Sequence, residues 1–120
     1  MSRNDTGPLQ HLINATRYSF QGLRHAWANG AAFRYEIYVL AVALPAAWLL
    51  GKGAVERALM IGAILLVVVV ELVNSAIEAT IDRVSKDRHE LSGHAKDMAS
   101  AAVFISILLA ATVWLVLLLA

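Results

Sequence analysis

The chain contains no cysteine, which excludes a disulfide framework and a thiolate metal site alike. Charge is scarce as well: Asp, Glu, Lys and Arg make up 16% of the 120 residues, against about 25% in ordinary soluble domains. No phosphate-cradling glycine loop and no soluble protein-kinase signature is present. The N-terminus lacks the pattern of a signal peptide, because Ser2 to Gln10 is polar and no apolar run follows Arg3. What abounds is apolar side chain, 59% of the sequence. A single domain of this size has too little interior to hide so much of it, so the excess must face lipid or a large area of partner protein. The net charge of +1 carries little information, because the charges are segregated along the chain and their placement matters more than their sum.

Thr6-Gly7-Pro8 predicts a helix start, with proline at the first helical position, where its missing N–H is harmless. From there Leu9, Leu12, Ile13, Phe20, Leu23 and Trp27 recur on one stripe, with Arg17, Arg24 and His25 beside it. That is an amphipathic helix over residues 6–29, suited to lie in the membrane interface, and Asn29-Gly30 closes it. Three apolar stretches follow, at residues 35–51, 58–81 and 98–119. The first is the shortest: its charge-free part falls below the ~20 residues of a full span. It can still cross if Arg34 and Glu36 sit among headgroups while Tyr35, Tyr38 and Trp48 anchor its ends. Pro45 is tolerable there if neighbours satisfy the freed carbonyl. Residues 82–97 read as a polar hairpin. Eight Lys and Arg residues precede the first span or lie between the second and third, against Lys52 and Arg57 on the other side. This asymmetry places the N-terminus and the polar hairpin in the cytoplasm.

The acids of the second span carry the most information. A charged side chain at the centre of a spanning helix costs about 2.5–3.5 kcal/mol on insertion scales. Glu71, Asn74, Ser75, Glu78 and Asp82 nonetheless fall within about 100° of one helix face over a rise of roughly 16 Å. Val70, Leu72, Val73, Ile77 and Ile81 keep the opposite face apolar. Taken singly, Asn74 or Ser75 reads as interhelical glue. Two carboxylates and an amide at consecutive turns read as a functional stripe descending from the cytoplasmic surface into the bilayer. Lys96 and Ser100 share a face where the third span enters the membrane. A lysine there anchors topology, but opposite the stripe it also offers charge for phosphate oxygens beside acids that hold a divalent metal. His89 and His94, five apart in a loop, are not expected to form a metal pair. These features imply a metal- or proton-handling acidic site at the cytoplasmic membrane face. One chain has too few helices to enclose it, so an oligomer is expected.

The segments Glu71-Leu72-Val73-Asn74-Ser75-Ala76-Ile77-Glu78 and Ala95-Lys96-Asp97-Met98-Ala99-Ser100 resemble the prokaryotic diacylglycerol kinase family. Its pattern is E-x-x-N-[ST]-x-I-E-x-x-x-D followed by H-x(5)-A-K-D. Matches through Tyr18-Ser19-Phe20-Gln21-Gly22-Leu23-Arg24 and Ala31-Ala32-Phe33-Arg34-Tyr35-Glu36 extend the likeness over nearly the whole chain. The resemblance implies an all-α membrane protein, a homotrimeric bundle with one surface helix and three transmembrane helices per subunit. The implied reaction transfers the γ-phosphate of ATP, with Mg2+, to diacylglycerol, giving phosphatidate at the cytoplasmic face of the bacterial inner membrane. It assigns Glu71 as catalytic base and Glu78 as the ligand of the ATP-bound metal. Tyr18, Asp87, Arg88, His89, Lys96 and Asp97 are assigned to the nucleotide. Arg24, Arg34, Glu36, Asn74, Ser100 and Trp114 are assigned to the lipid substrate site. Two positions depart from the family pattern: Gly30 stands where a second metal-ligating glutamate is usual, and His11 where an arginine near the phosphates is usual.

Three other readings compete. A branch of the same family phosphorylates undecaprenol, although the 18–36 stretch looks more like the diacylglycerol branch. A small proton-coupled transporter also places carboxylates in its spans, but here the acids cluster at one face and no internal repeat is visible. An accessory subunit explains the spans and leaves the stripe unused.

Overall fold

A computed structural model describes residues 7–84 and 89–120. Its described residues form four helices and no strand: α1 (Pro8–Asn29), α2 (Ala31–Leu50), α3 (Ala54–Val84) and α4 (Glu90–Leu119). They fall into two compact units, one ending at Ala31 and the other beginning at Ala32.

The first unit holds α1, which begins as the sequence predicts. Gly7 is its N-cap with extended backbone and Pro8 opens the helix. The His11 N–H reaches the Gly7 carbonyl at 2.9 Å. The helix ends at Asn29, and the Gly30 N–H closes the last turn on the Ala26 carbonyl at 2.8 Å. Leu9, Leu12 and Phe20 of the apolar stripe are exposed. Asn14, on the other side, is buried and accepts from Gln10 at 3.0 Å and from Arg17 at 3.2 Å. Nothing in the hydropathy pattern marked this knot.

In the second unit, α2, α3 and α4 are each long and apolar enough to cross a membrane. Helix α2 starts at Ala31 rather than near Tyr35, and it runs unbroken through Pro45. Hydropathy reports where a helix leaves hydrocarbon, not where its hydrogen bonds end, and Arg34 and Glu36 are good helix formers. The same reasoning lengthens α3 to 31 residues, about 46 Å, against a hydrocarbon layer of about 30 Å. The expected polar hairpin also shrinks. Asp82 and Arg83 belong to α3, while 90–97 belong to α4, so His94 lies on a helix and not in a loop.

Between α2 and α3 the chain turns within Gly51-Lys52-Gly53. Gly53 has φ +102°, a left-handed conformation that favours glycine. The Gly51 N–H reaches the Ala47 carbonyl at 2.9 Å, and the Lys52 N–H reaches Glu56 Oε1 at 3.0 Å. Arg57 straps the corner: its Nε donates to the Trp48 carbonyl at 3.0 Å while its guanidinium stands 4.6 Å from the centre of the Trp48 ring.

Helices α3 and α4 form the main packed pair. Ala63, Val67 and Ala110 are buried together, with Ile64 and Val113 against them. Small residues at the contact let two backbones approach, as lipid-embedded pairs require when apolar burial gives no driving force. Two contacts at opposite ends show the pair to be antiparallel. Trp114 Nε1 donates to the Met60 carbonyl at 3.0 Å, and Lys96 Nζ meets Asp82 Oδ1 at 2.7 Å.

Candidate active site

The stripe on α3 survives as a graded surface. Glu71 and Asn74 are buried, only 7% and 9% exposed, whereas Glu78 and Asp82 are exposed. Helical periodicity accounts for the alignment, since positions four and seven apart return to one face. The side chains are linked as well as aligned. Asn74 Nδ2 donates to Glu78 Oε1 at 2.9 Å, one turn away. The Glu71 carboxylate has Asn74 and Ser75 as polar company and lies within electrostatic reach of Glu78. Glu36, from α2, lies within reach of Glu71 in turn. Two atoms in this neighbourhood, Glu36 Oε2 and Asn74 Oδ1, are buried with no hydrogen-bond partner among the described residues. Buried polar atoms are nearly always paired, and these two are exceptions among the described residues.

Lys96 completes the cluster from α4. Its ammonium is held by Asp82 at 2.7 Å and stands within electrostatic reach of Glu78. Ser100 follows one turn further along α4 and is exposed. His89 takes a local job: as N-cap of α4 its Nδ1 accepts the Leu91 N–H at 3.1 Å. It also lines an open cavity of about 410 Å³ with Glu90, Gly93, His94 and Asp97.

Glu36, Glu71, Asn74, Glu78 and Lys96 thus come together, and Asp97 and His89 lie at the start of α4. Arg34 is half-buried on α2. Trp114 sits at another level, its N–H committed to Met60, eleven residues and roughly 16 Å of helix before Glu71. Tyr18 and Arg24 belong to the first unit, where the Arg17 guanidinium lies 5.6 Å from the Tyr18 ring centre and Arg24 is exposed. Asp87 and Arg88 lie outside the described residues. The Asp82–Lys96 pair was half visible in advance, as an acid on the stripe and a cation across from it. The Asn74–Glu78 bond needed only the i, i+4 spacing to be suspected.

The described residues contain no group of three or more His, Asp or Glu side chains poised on a metal ion. One carboxylate is enough for some sites. Magnesium is commonly held by one or two carboxylates together with substrate phosphates. Glu78 fits that role, because Asn74 fixes one of its two oxygens and the group is exposed.

Fold and site together define a multi-pass membrane protein whose buried carboxylate opens, through a polar stripe, onto one membrane face. A family model for prokaryotic diacylglycerol kinase matches residues 17–118, and the chain belongs to that family. It is 50% identical over 119 residues to the diacylglycerol kinase of Escherichia coli (strain K12), covering 98% of this chain and 96% of that one. The Haemophilus influenzae diacylglycerol kinase is 48% identical over 109 residues, covering 91% and 92% respectively. The Pseudomonas aeruginosa diacylglycerol kinase is 48% identical over 117 residues, covering 98% and 94%.

Proposed function

We propose that this chain transfers the γ-phosphate of ATP to the hydroxyl of diacylglycerol, giving phosphatidate at the cytoplasmic face of a bacterial inner membrane. The observation that carries the reading is the burial of Glu71 at the deep end of a stripe whose shallow end carries Glu78 and Lys96. A lipid hydroxyl comes from the bilayer and a polyphosphate from water, and such a stripe lets the two meet. Family membership supports the same reaction.

Glu71 accepts the hydroxyl proton as the alcohol oxygen attacks the γ-phosphorus. The bond from that phosphorus to its bridging oxygen breaks, and ADP leaves. A base so placed is worth about 10²–10⁴ in rate. Asn74 Oδ1 and Glu36 Oε2, the unpaired acceptors, are available to orient the acceptor lipid. Lys96 holds phosphate oxygens, and positioning by such groups supplies most of the remaining acceleration. Glu78 would hold Mg2+, whose charge, when bound, offsets that of the phosphates.

The bias of eight cations against two supports a cytoplasmic N-terminus. The small share of each span buried within one chain, from 11% to 33%, supports a homotrimer in which neighbouring copies complete the site.

The test is transfer of radiolabelled phosphate from ATP to dioleoylglycerol in mixed micelles with magnesium. Labelled phosphatidate from the parent chain and none from a folded Glu71→Gln variant is the expected result. Transfer undiminished in Glu71→Gln removes the base. No transfer by well-folded parent protein to this lipid refutes the reading, and undecaprenol is then the next acceptor to try.

A further inference from the structure

We propose that Asp82 is a positioning residue for phosphate transfer, fixing the Lys96 ammonium so that its remaining donors face the polyphosphate. The inference rests on the kinase reading above and assigns a role to a side chain that has none there.

The Asp82–Lys96 pair, at 2.7 Å, joins α3 to α4 across fourteen positions of sequence. Both side chains are about half-exposed, 49% and 40%, and a pair so wet adds little to stability. Its location is what distinguishes it. Asp82 is four residues beyond Glu78, so it lies about 40° around α3 and about 6 Å further toward the cytoplasm. The ammonium it holds is therefore one helical turn from the carboxylate suited to the metal, and within electrostatic reach of it. A polyphosphate laid along the stripe meets the Glu78 level with one phosphate and the Lys96 level with another.

Lysine needs such a partner more than arginine would. Its charge sits on a flexible four-carbon stem with three rotatable donors and no fixed fork. Left alone, the Lys96 ammonium would swing among the rotamers of its long stem over the partly exposed start of α4. The Asp82 carboxylate takes one donor and leaves two. Asp82 thus stands to Lys96 as Asn74 stands to Glu78: each uses one hydrogen bond to aim a neighbour that touches the reactants.

The experiment is a double-mutant cycle on the full chain in mixed micelles, with Asp82→Asn, Lys96→Gln and the double variant, and with Asp82→Glu as the conservative control. Rates and the KM values for MgATP and dioleoylglycerol are measured, with thermal midpoints and the binding of a non-hydrolysable MgATP analogue. Asp82→Asn should raise the MgATP KM and weaken analogue binding by about tenfold, leaving the lipid KM and the thermal midpoint unchanged. Asp82→Glu should recover part of the loss. In the Lys96→Gln background, Asp82→Asn should add almost nothing. An equal loss in both backgrounds overturns the proposal, as does a loss that follows the thermal midpoint or the lipid KM. Unchanged nucleotide parameters also overturn it. If the parent binds the analogue but phosphorylates no lipid, the kinase reading falls, while the cycle on analogue binding still decides the role of Asp82. A parent that binds no nucleotide overturns both.

Discussion

Replacing Trp114 with phenylalanine removes the hydrogen bond from the indole N–H to the Met60 carbonyl, 3.0 Å long, while keeping an aromatic ring in place. Met60 is fully buried, so water cannot take over the lost donor. Its carbonyl sits within a continuous helix, so the loss is the interhelical bond alone and not a wholly orphaned acceptor. Such bonds within membranes average about 0.6 kcal/mol and reach about 1.7. The smaller ring also leaves a void of about 40 Å³, worth about 1 kcal/mol at about 24 cal/mol per Å³ if nothing collapses into it. Trp114 is only half-buried, so lipid fills part of that space and about half of the cost remains. The sum is about 1–2 kcal/mol against α3–α4 association. The assay is denaturant titration of the purified chain in a constant detergent micelle, followed by far-ultraviolet circular dichroism and by thermal inactivation. Trp48→Phe, at the exposed corner, is the control and should cost less, because the Arg57 bond there goes to the backbone. Equal stability of Trp114→Phe and the parent would refute the claim that this indole clamps the pair.

Gly51→Ala should destabilise the α2–α3 corner by about 1–3 kcal/mol, because the new Cβ would stand 2.8 Å from the Ala47 carbonyl and 2.7 Å from Arg57 Cγ; thermal midpoints check this. His89→Ala removes the cap that accepts the Leu91 N–H and should cost about 1 kcal/mol, visible as faster amide exchange in the first turn of α4. From the family pattern, Gly30→Glu should strengthen magnesium dependence or raise turnover, with unchanged helicity. Identical magnesium titrations of the variant and the parent would refute that expectation.

Much of this arrangement was legible in the sequence because a helix translates spacing into direction. Glu71, Asn74, Glu78 and Asp82 are bound to share a face once α3 is helical, and no tertiary knowledge is needed to say so. Helix existence was equally plain, while helix ends were not. Apolarity faded at Tyr35 and Ile81, yet the hydrogen bonds of α2 and α3 continued through Arg34 and Arg83. What stayed hidden depends on which residues meet across helices. The register that sets Trp114 against Met60 follows from the packing of Ala63, Val67 and Ala110, which no local pattern encodes. His89 was placed in a loop and assigned to the nucleotide by the family resemblance, and its service as a helix cap became clear only when α4 was seen to begin at Glu90. Asn14 was passed over because one amide on a polar face looks like any other.

The length of α3 has a consequence for how rates are to be expressed. At about 46 Å the helix exceeds a hydrocarbon layer of about 30 Å by about three turns, and on the proposed reading Glu71 and Asp82 therefore sit in different solvents on one rod. On that reading the lipid reaching Glu71 arrives by lateral diffusion in two dimensions, and its abundance counts as mole fraction of the surface. A molecule reaching Lys96 arrives through three dimensions and counts in moles per litre. Diluting the membrane with inert lipid changes the first quantity and leaves the second alone, whereas diluting the buffer does the reverse.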